Sequence, residues 1–135
     1  MVAYNFQKPF IEAIERGDKT HTIRKPGKRA HAQPGQTLQL YYAQRTKQCR
    51  KIMDAVCSGC YVVNIAVAKE RLSWISLLIS GNTHSIENLE LFATDDGFES
   101  LEAMHAFWLD FHGPGLFEGF LIDWGQFSPE RYRLS

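Results

Sequence analysis

The chain contains no apolar stretch approaching the ~20 residues needed to cross a bilayer. Its longest, Leu72 to Ile79, carries two serines and has the length of a strand. The N-terminus, Met1-Val2-Ala3-Tyr4-Asn5-Phe6, lacks the basic start and long apolar core of a signal peptide. Cysteine is scarce and odd in number, with Cys49, Cys57 and Cys60 only. An odd count argues against a disulfide framework. Cys57-Ser58-Gly59-Cys60 fits C-x-x-C, but a structural zinc site takes four ligands, usually from two such pairs, and no second pair exists. The expectation is free, partly buried thiols, no metal and no cofactor. There are no internal repeats or low-complexity segments. These absences describe a cytoplasmic protein without a membrane partner. It is expected to be a single domain over residues 1–135 with a peripheral tail at 129–135.

Net charge is zero, yet the charges are sorted. Arg16 to Lys51 holds ten Lys or Arg and a single acid, Asp18, whereas Glu87 to Asp123 holds nine acids and no Lys or Arg. The two halves can attract each other across the fold. The basic half can also meet an anionic partner such as a nucleotide phosphate or RNA.

Val2 to Phe6 reads as a first strand. Lys8-Pro9 opens a short helix with Phe10, Ile11 and Ile14 on its apolar side. Gly17 is placed to end it. Thr20 to Arg24 reads as a strand broken by Pro26-Gly27, and Thr37 to Tyr42 as a half-buried strand with Leu38, Leu40 and Tyr42 in alternation. Gln44 to Lys51 reads as a loop or strand edge. Cys60 to Ala68 and Leu72 to Ile79 are strands, and Ser85 to Phe92 is an ambiguous short strand. Leu101, Met104, Trp108 and Phe111 share one face of a second helix, and Leu116 to Trp124 forms the last strand. The sum is α+β, mostly β: about six strands in a small barrel with two flanking helices.

One stretch concentrates chemistry: Gly17-Asp18-Lys19-Thr20-His21-Thr22-Ile23-Arg24. Alternation puts Thr20, Thr22 and Arg24 on one strand face, with His21 and Ile23 on the other. A threonine hydroxyl needs a base to become a nucleophile. A lysine is such a base when burial or nearby positive charge lowers its pKa. Asp95, Asp96 and Glu99 are candidate acids, although Asp96 with Glu99 also has the spacing of a helix capping box. His31 can meet a phosphate or nothing. His105 and His112 read as packing residues.

This stretch resembles the G-x-K-x-x-T-x-R signature of ASCH domains, small β-barrels related to the PUA RNA-binding fold. Pro34-Gly35-Gln36-Thr37-Leu38 resembles the family's P-G-D-x-L, and Asp96-Gly97-Phe98-Glu99-Ser100 its E-G-F-x-S helix start. The similarity spans roughly Phe6 to Trp124. It implies an amidohydrolase for N(4)-acylated cytidine or cytosine, working without metal through a lysine, a threonine and a glutamate. By motif these fall on Lys19, Thr22 and Asp96, with aspartate standing where the family has glutamate. Arg24, Phe6, Phe10 and Tyr41 are the expected substrate-binding side chains. The resemblance equally implies an alternative, an RNA-binding module with or without ribonuclease activity that uses the basic 16–51 segment.

Overall fold

The computed structural model describes residues 1–134. The fold is mixed α+β, with eight strands in two sheets. One sheet has the order β1-β3-β4, from Val2–Phe6, Thr37–Tyr42 and Arg50–Val56. The other has the order β2-β8-β5-β6-β7. Its strands are β2 (His21–Arg24), β5 (Gly59–Val67), β6 (Leu72–Ile79), β7 (Asn82–Ser85) and β8 (Gly115–Asp123). β1 and β3 run parallel and every other pairing is antiparallel. The two ladders stay separate, so the sheets do not close into the expected barrel.

β8 is the hinge between two cores, and its period-2 alternation explains why. Phe117 and Leu121 pack into the larger core, beneath the second sheet, with Ile65, Leu77 and Phe92. Phe120, Ile122 and Trp124 point the other way, into a smaller core with Tyr4, Phe6, Leu38 and Leu40. β2 pairs with β8 from His21↔Asp123 to Arg24↔Phe120, and so lies along the seam between the cores.

The approach to β2 is built by backbone capping. Lys8–Phe10 forms a 3-10 turn that leads into α1, Ile11–Arg16. Gly17 adopts φ 81°, the left-handed conformation that ends helices. The amides of Asp18 and Lys19 then both donate to the Ala13 carbonyl, at 2.9 and 3.0 Å. This tight reversal turns Lys19 back toward the protein interior.

Three expectations are corrected by the structure. The ambiguous segment after Ser85 holds a helix rather than a strand: α2, Leu89–Asp95, capped by the Asn88 side chain on the Leu91 amide at 3.1 Å. Asp96 therefore terminates α2 instead of opening the next helix. That helix is α3, Leu101–Phe111, and its cap is Ser100, whose hydroxyl accepts from the Ala103 amide at 3.0 Å. The Asp96–Glu99 spacing is not a capping box. Finally, the 129–135 tail is not peripheral where it is described. Pro129–Tyr132 forms a 3-10 turn that buries Tyr132 against Phe92. Its Arg131 and Tyr132 bond Asp95 at 2.7 Å each.

Candidate active-site cleft

A cleft of about 430 Å³ opens where β1, β2, the 3-10 turn and α3 meet. This lies within the size range of small-molecule sites. Phe6, Phe10, Phe98, Phe107 and Phe111 supply aromatic walls, and Lys19, Thr22, Arg24 and Asp96 supply the polar groups. Residues distant in sequence thus converge: the Lys19-to-Arg24 stretch comes from the α1–β2 turn, and Asp96 from the end of α2.

Lys19 and Asp96 are the centre of the polar set. Lys19 Nζ donates to Asp96 Oδ1 at 2.8 Å and to the Asp96 backbone carbonyl at 2.7 Å. Their side chains are only 4% and 6% exposed. An ammonium has three N–H donors, so one remains for a ligand or for Thr22. Asp96 Oδ2 accepts no hydrogen bond among the described residues and is not sealed from solvent. A carboxylate at a helix C-terminus faces the unfavourable end of the dipole; here the lysine offsets it by bonding both the carboxylate and the terminal carbonyl.

The ionisation of the pair follows from this burial. Loss of solvation pushes Lys19 below its ordinary value, against the opposing pull of Asp96. Burial pushes Asp96 up, but the Lys19 charge and the His21 ring outweigh it and hold the carboxyl below the usual range. The two groups thus form an ion pair, in which burial and the carboxylate act on the lysine in opposite directions.

Thr22 is buried, and its Oγ1 accepts from Arg24 Nε at 3.0 Å. Its own hydroxyl proton stays available to a base. Arg24 Nη2 donates to the Asn5 carbonyl at 2.7 Å, and the guanidinium lies over the Phe6 and Tyr4 rings at 4.8 and 5.2 Å. Burial lowers the Arg24 pKa, yet a guanidinium remains charged. Nη1 has no partner among the described residues and is not sealed from solvent.

Strand alternation placed Thr20 beside Thr22, and the structure separates them. Thr20 and His21 border a second, smaller cavity of about 220 Å³ with Asp95, Ser128 and Arg131. His21 Nε2 nevertheless lies 3.2 Å from Asp96 Oδ1, out of hydrogen-bonding alignment and sealed from water. The three candidate acids are now distinguishable. Asp95 is committed to Arg131 and Tyr132, Glu99 is exposed, and Asp96 alone reaches the cleft.

Of the four expected binding residues, Arg24, Phe6 and Phe10 line the cleft and Tyr41 does not. Parity explains this: Leu38 and Leu40 point into the small core, so Tyr41 points away, where Lys51 Nζ lies 5.9 Å from its ring. His31 borders the cleft with both nitrogens committed. Nε2 lies 2.9 Å from the Lys25 carbonyl and Nδ1 lies 3.0 Å from Tyr4 Oη. Because a carbonyl can only accept, Nε2 carries a proton, and in the neutral ring Nδ1 accepts from the tyrosine. Phe98, Phe107 and Phe111 were not singled out for the site by sequence. Phe111 was read only as part of a packing face, and an excess of aromatics on α3 was the available signal.

The three cysteines are free, and no cluster of metal-ligating side chains exists among the described residues. Nor, among those residues, is any helix long and apolar enough to cross a membrane. No protein-family model, curated protein or solved structure matches this chain.

Proposed function

We propose that the chain is an ASCH-like amidohydrolase that removes the acyl group from N(4)-acylated cytidine or cytosine. The observation that carries this reading is the buried Lys19–Asp96 pair at 2.8 Å in a cleft shared with Thr22 and Arg24. The aromatic walls suit a planar base, which stacks on rings irrespective of its edge.

The chemistry uses one shared proton. A ligand that fills the cleft excludes water and favours the neutral form of the pair, with the proton moved from Lys19 to Asp96. Thr22 Oγ attacks the acyl carbonyl and gives its proton to the Lys19 amine. Arg24 Nη1 donates to the developing oxyanion. Asp96 protonates the departing cytosine nitrogen, which leaves an acyl ester on Thr22. Water then attacks that ester and gives its proton to Asp96, and Lys19 returns a proton to Thr22. The products are the free base and the acid, and both catalytic groups are restored.

The test is release of cytidine from N(4)-acetylcytidine by the wild type, Lys19→Ala and Thr22→Ala. The wild type turns over and both variants lose most activity. Equal rates in all three, or no release by any, would falsify the mechanism.

A second reading, an RNA-binding module without catalysis, is favoured by exposed Lys25, Lys28, Arg29, Arg45 and Lys47, which have no ion-pair partner among the described residues. It predicts oligoribonucleotide binding that weakens steeply with salt and is indifferent to Thr22→Ala.

A further inference from the structure

The basic block between Arg16 and Lys51 is not uniform once its partners are known. Arg16 pairs with Asp18 at 2.9 Å, Arg50 with Glu15 at 3.4 Å and Lys51 with Asp54 at 3.0 Å. Lys19 is taken by Asp96. The cations left without a carboxylate among the described residues are Arg24, Lys25, Lys28, Arg29, Arg45 and Lys47. Pairing therefore sorts the block into neutralised positions and free ones, and two of the free ones, Arg24 and Lys25, line the cleft.

Two segments carry the free cations. Arg24 lies within the cleft, Lys25 and Gly27 form part of its rim, and Lys28 and Arg29 follow at once, exposed. The turn is anchored by His31 on the Lys25 carbonyl. The second segment is the loop after β3. Its Gln44 amide donates to Asn5 Oδ1 at 2.8 Å, while the Asn5 carbonyl accepts from Arg24. Asn5, itself a lining residue, thus ties this loop to the guanidinium. Ala43 and Arg45 in the loop hold positive φ, 53° and 65°, a conformation that non-glycine residues keep only when surroundings enforce it.

Charge then decides what the cleft suits. Its lining carries Lys19, Arg24 and Lys25 against the single carboxylate of Asp96, a surplus of two positive charges. A neutral nucleoside leaves that surplus unanswered, whereas a phosphate on the ribose answers it. We infer that the ligand of this cleft is a cytidine bearing a phosphate, with the base against the aromatic walls and the phosphate at the Lys25–Arg29 rim. The inference rests on the proposed cytidine chemistry and names the form of its substrate. The shared chemistry is a ribose phosphate, supplied either by a free mononucleotide or by one link of an RNA strand.

Binding measured by calorimetry separates the possibilities without relying on turnover. Cytidine, cytidine 5′-monophosphate, cytidine 3′-monophosphate and a cytidine-centred trinucleotide are compared at low and high salt. The proteins are the wild type, Lys25→Ala/Lys28→Ala/Arg29→Ala and Arg45→Ala/Lys47→Ala. At least one monophosphate is expected to bind about tenfold or more tighter than cytidine, a gap that shrinks with salt and closes in the triple variant. A trinucleotide that binds tighter still, and loses that gain in the Arg45/Lys47 variant, identifies RNA as the source. A trinucleotide no better than the mononucleotide identifies the free nucleotide. Equal affinity for cytidine and both monophosphates overturns the inference, and release of cytidine from the acetylated nucleoside would then leave the amidohydrolase reading standing. If none of the four ligands binds, the inference falls, and cytidine release from the acetylated nucleoside decides the amidohydrolase reading separately.

Discussion

Removing one member of the Lys19–Asp96 pair is expected to cost far more stability than removing both would suggest. The side chains are 4% and 6% exposed, so solvent screens them little. Lys19→Met keeps the length of the stem but leaves a buried carboxylate and strips the Asp96 carbonyl of its donor. Asp96→Asn keeps the shape but leaves a buried ammonium with weaker acceptors. Breaking a buried pair from one side costs about 3–5 kcal/mol. That is a large share of the 5–15 kcal/mol available to a domain, and corresponds to a fall in Tm of roughly 10–20 °C. The double variant buries no net charge, so it is expected to lose at least about 2 kcal/mol less than the sum of the singles. Urea unfolding followed by tryptophan fluorescence gives all four corners of the cycle. Single losses below about 1 kcal/mol, or strict additivity, would refute the claim that these groups are buried partners.

Other consequences are open to measurement. Gly97 holds φ 97°, and a Cβ there would stand 2.7 Å from Phe10 Cδ1 and 3.1 Å from Lys19 Cδ. Gly97→Ala is expected to cost about 2–4 kcal/mol in chemical unfolding, and ordinary stability would contradict the close approach. Tyr132→Phe removes a 2.7 Å bond to Asp95 and is expected to cost about 1–2 kcal/mol; no change in unfolding midpoint would show that Arg131 alone holds that carboxylate. Asp95 and Asp96 both have carboxyls held below their ordinary value of 3.8. For both, burial pushes up and is outweighed by the charges and hydrogen-bond donors around them. A depressed folded pKa means stability that is present above the unfolded value and lost as pH falls through the folded one. Thermal midpoints are therefore expected to drop below about pH 4, less steeply in Asp96→Asn, and an unchanged acid slope in that variant would argue against the ion pair.

The elements legible in the sequence are those that one face of burial shapes. β1, β3 and β6 have the boundaries read from the sequence, β3 from its alternation and the other two from short apolar-rich runs, and Pro9 and Gly17 bracket the first helical turns where backbone chemistry requires. β4 was not legible because it is exposed along most of its length and its sequence, Arg50-Lys51-Ile52-Met53-Asp54-Ala55-Val56, has no apolar alternation. α2 was missed because Leu89, Leu91 and Phe92 suit a strand as well as a helix over seven residues; only its Asn88 cap marked it. For the site, the Lys19-to-Arg24 stretch was visible because so many polar groups adjoin. Its relation to Asp96 came only from the motif resemblance, because the chain reversal that joins them is not encoded in spacing. The separation of Thr20 from Thr22 and the outward direction of Tyr41 are tertiary outcomes: which face of a strand is buried depends on what packs above it.

The central claim is that the Thr22 hydroxyl performs the attack in a cleft powered by Lys19 and Asp96. The measurement that meets it most directly is the rate of cytidine release from N(4)-acetylcytidine by wild type, Thr22→Ser and Thr22→Ala at matched folded concentrations. The account predicts turnover by wild type, substantial activity retained by serine because it keeps the hydroxyl, and a loss of about a hundredfold or more in alanine. Turnover by Thr22→Ala equal to the wild type, or none by the wild type itself, would contradict it.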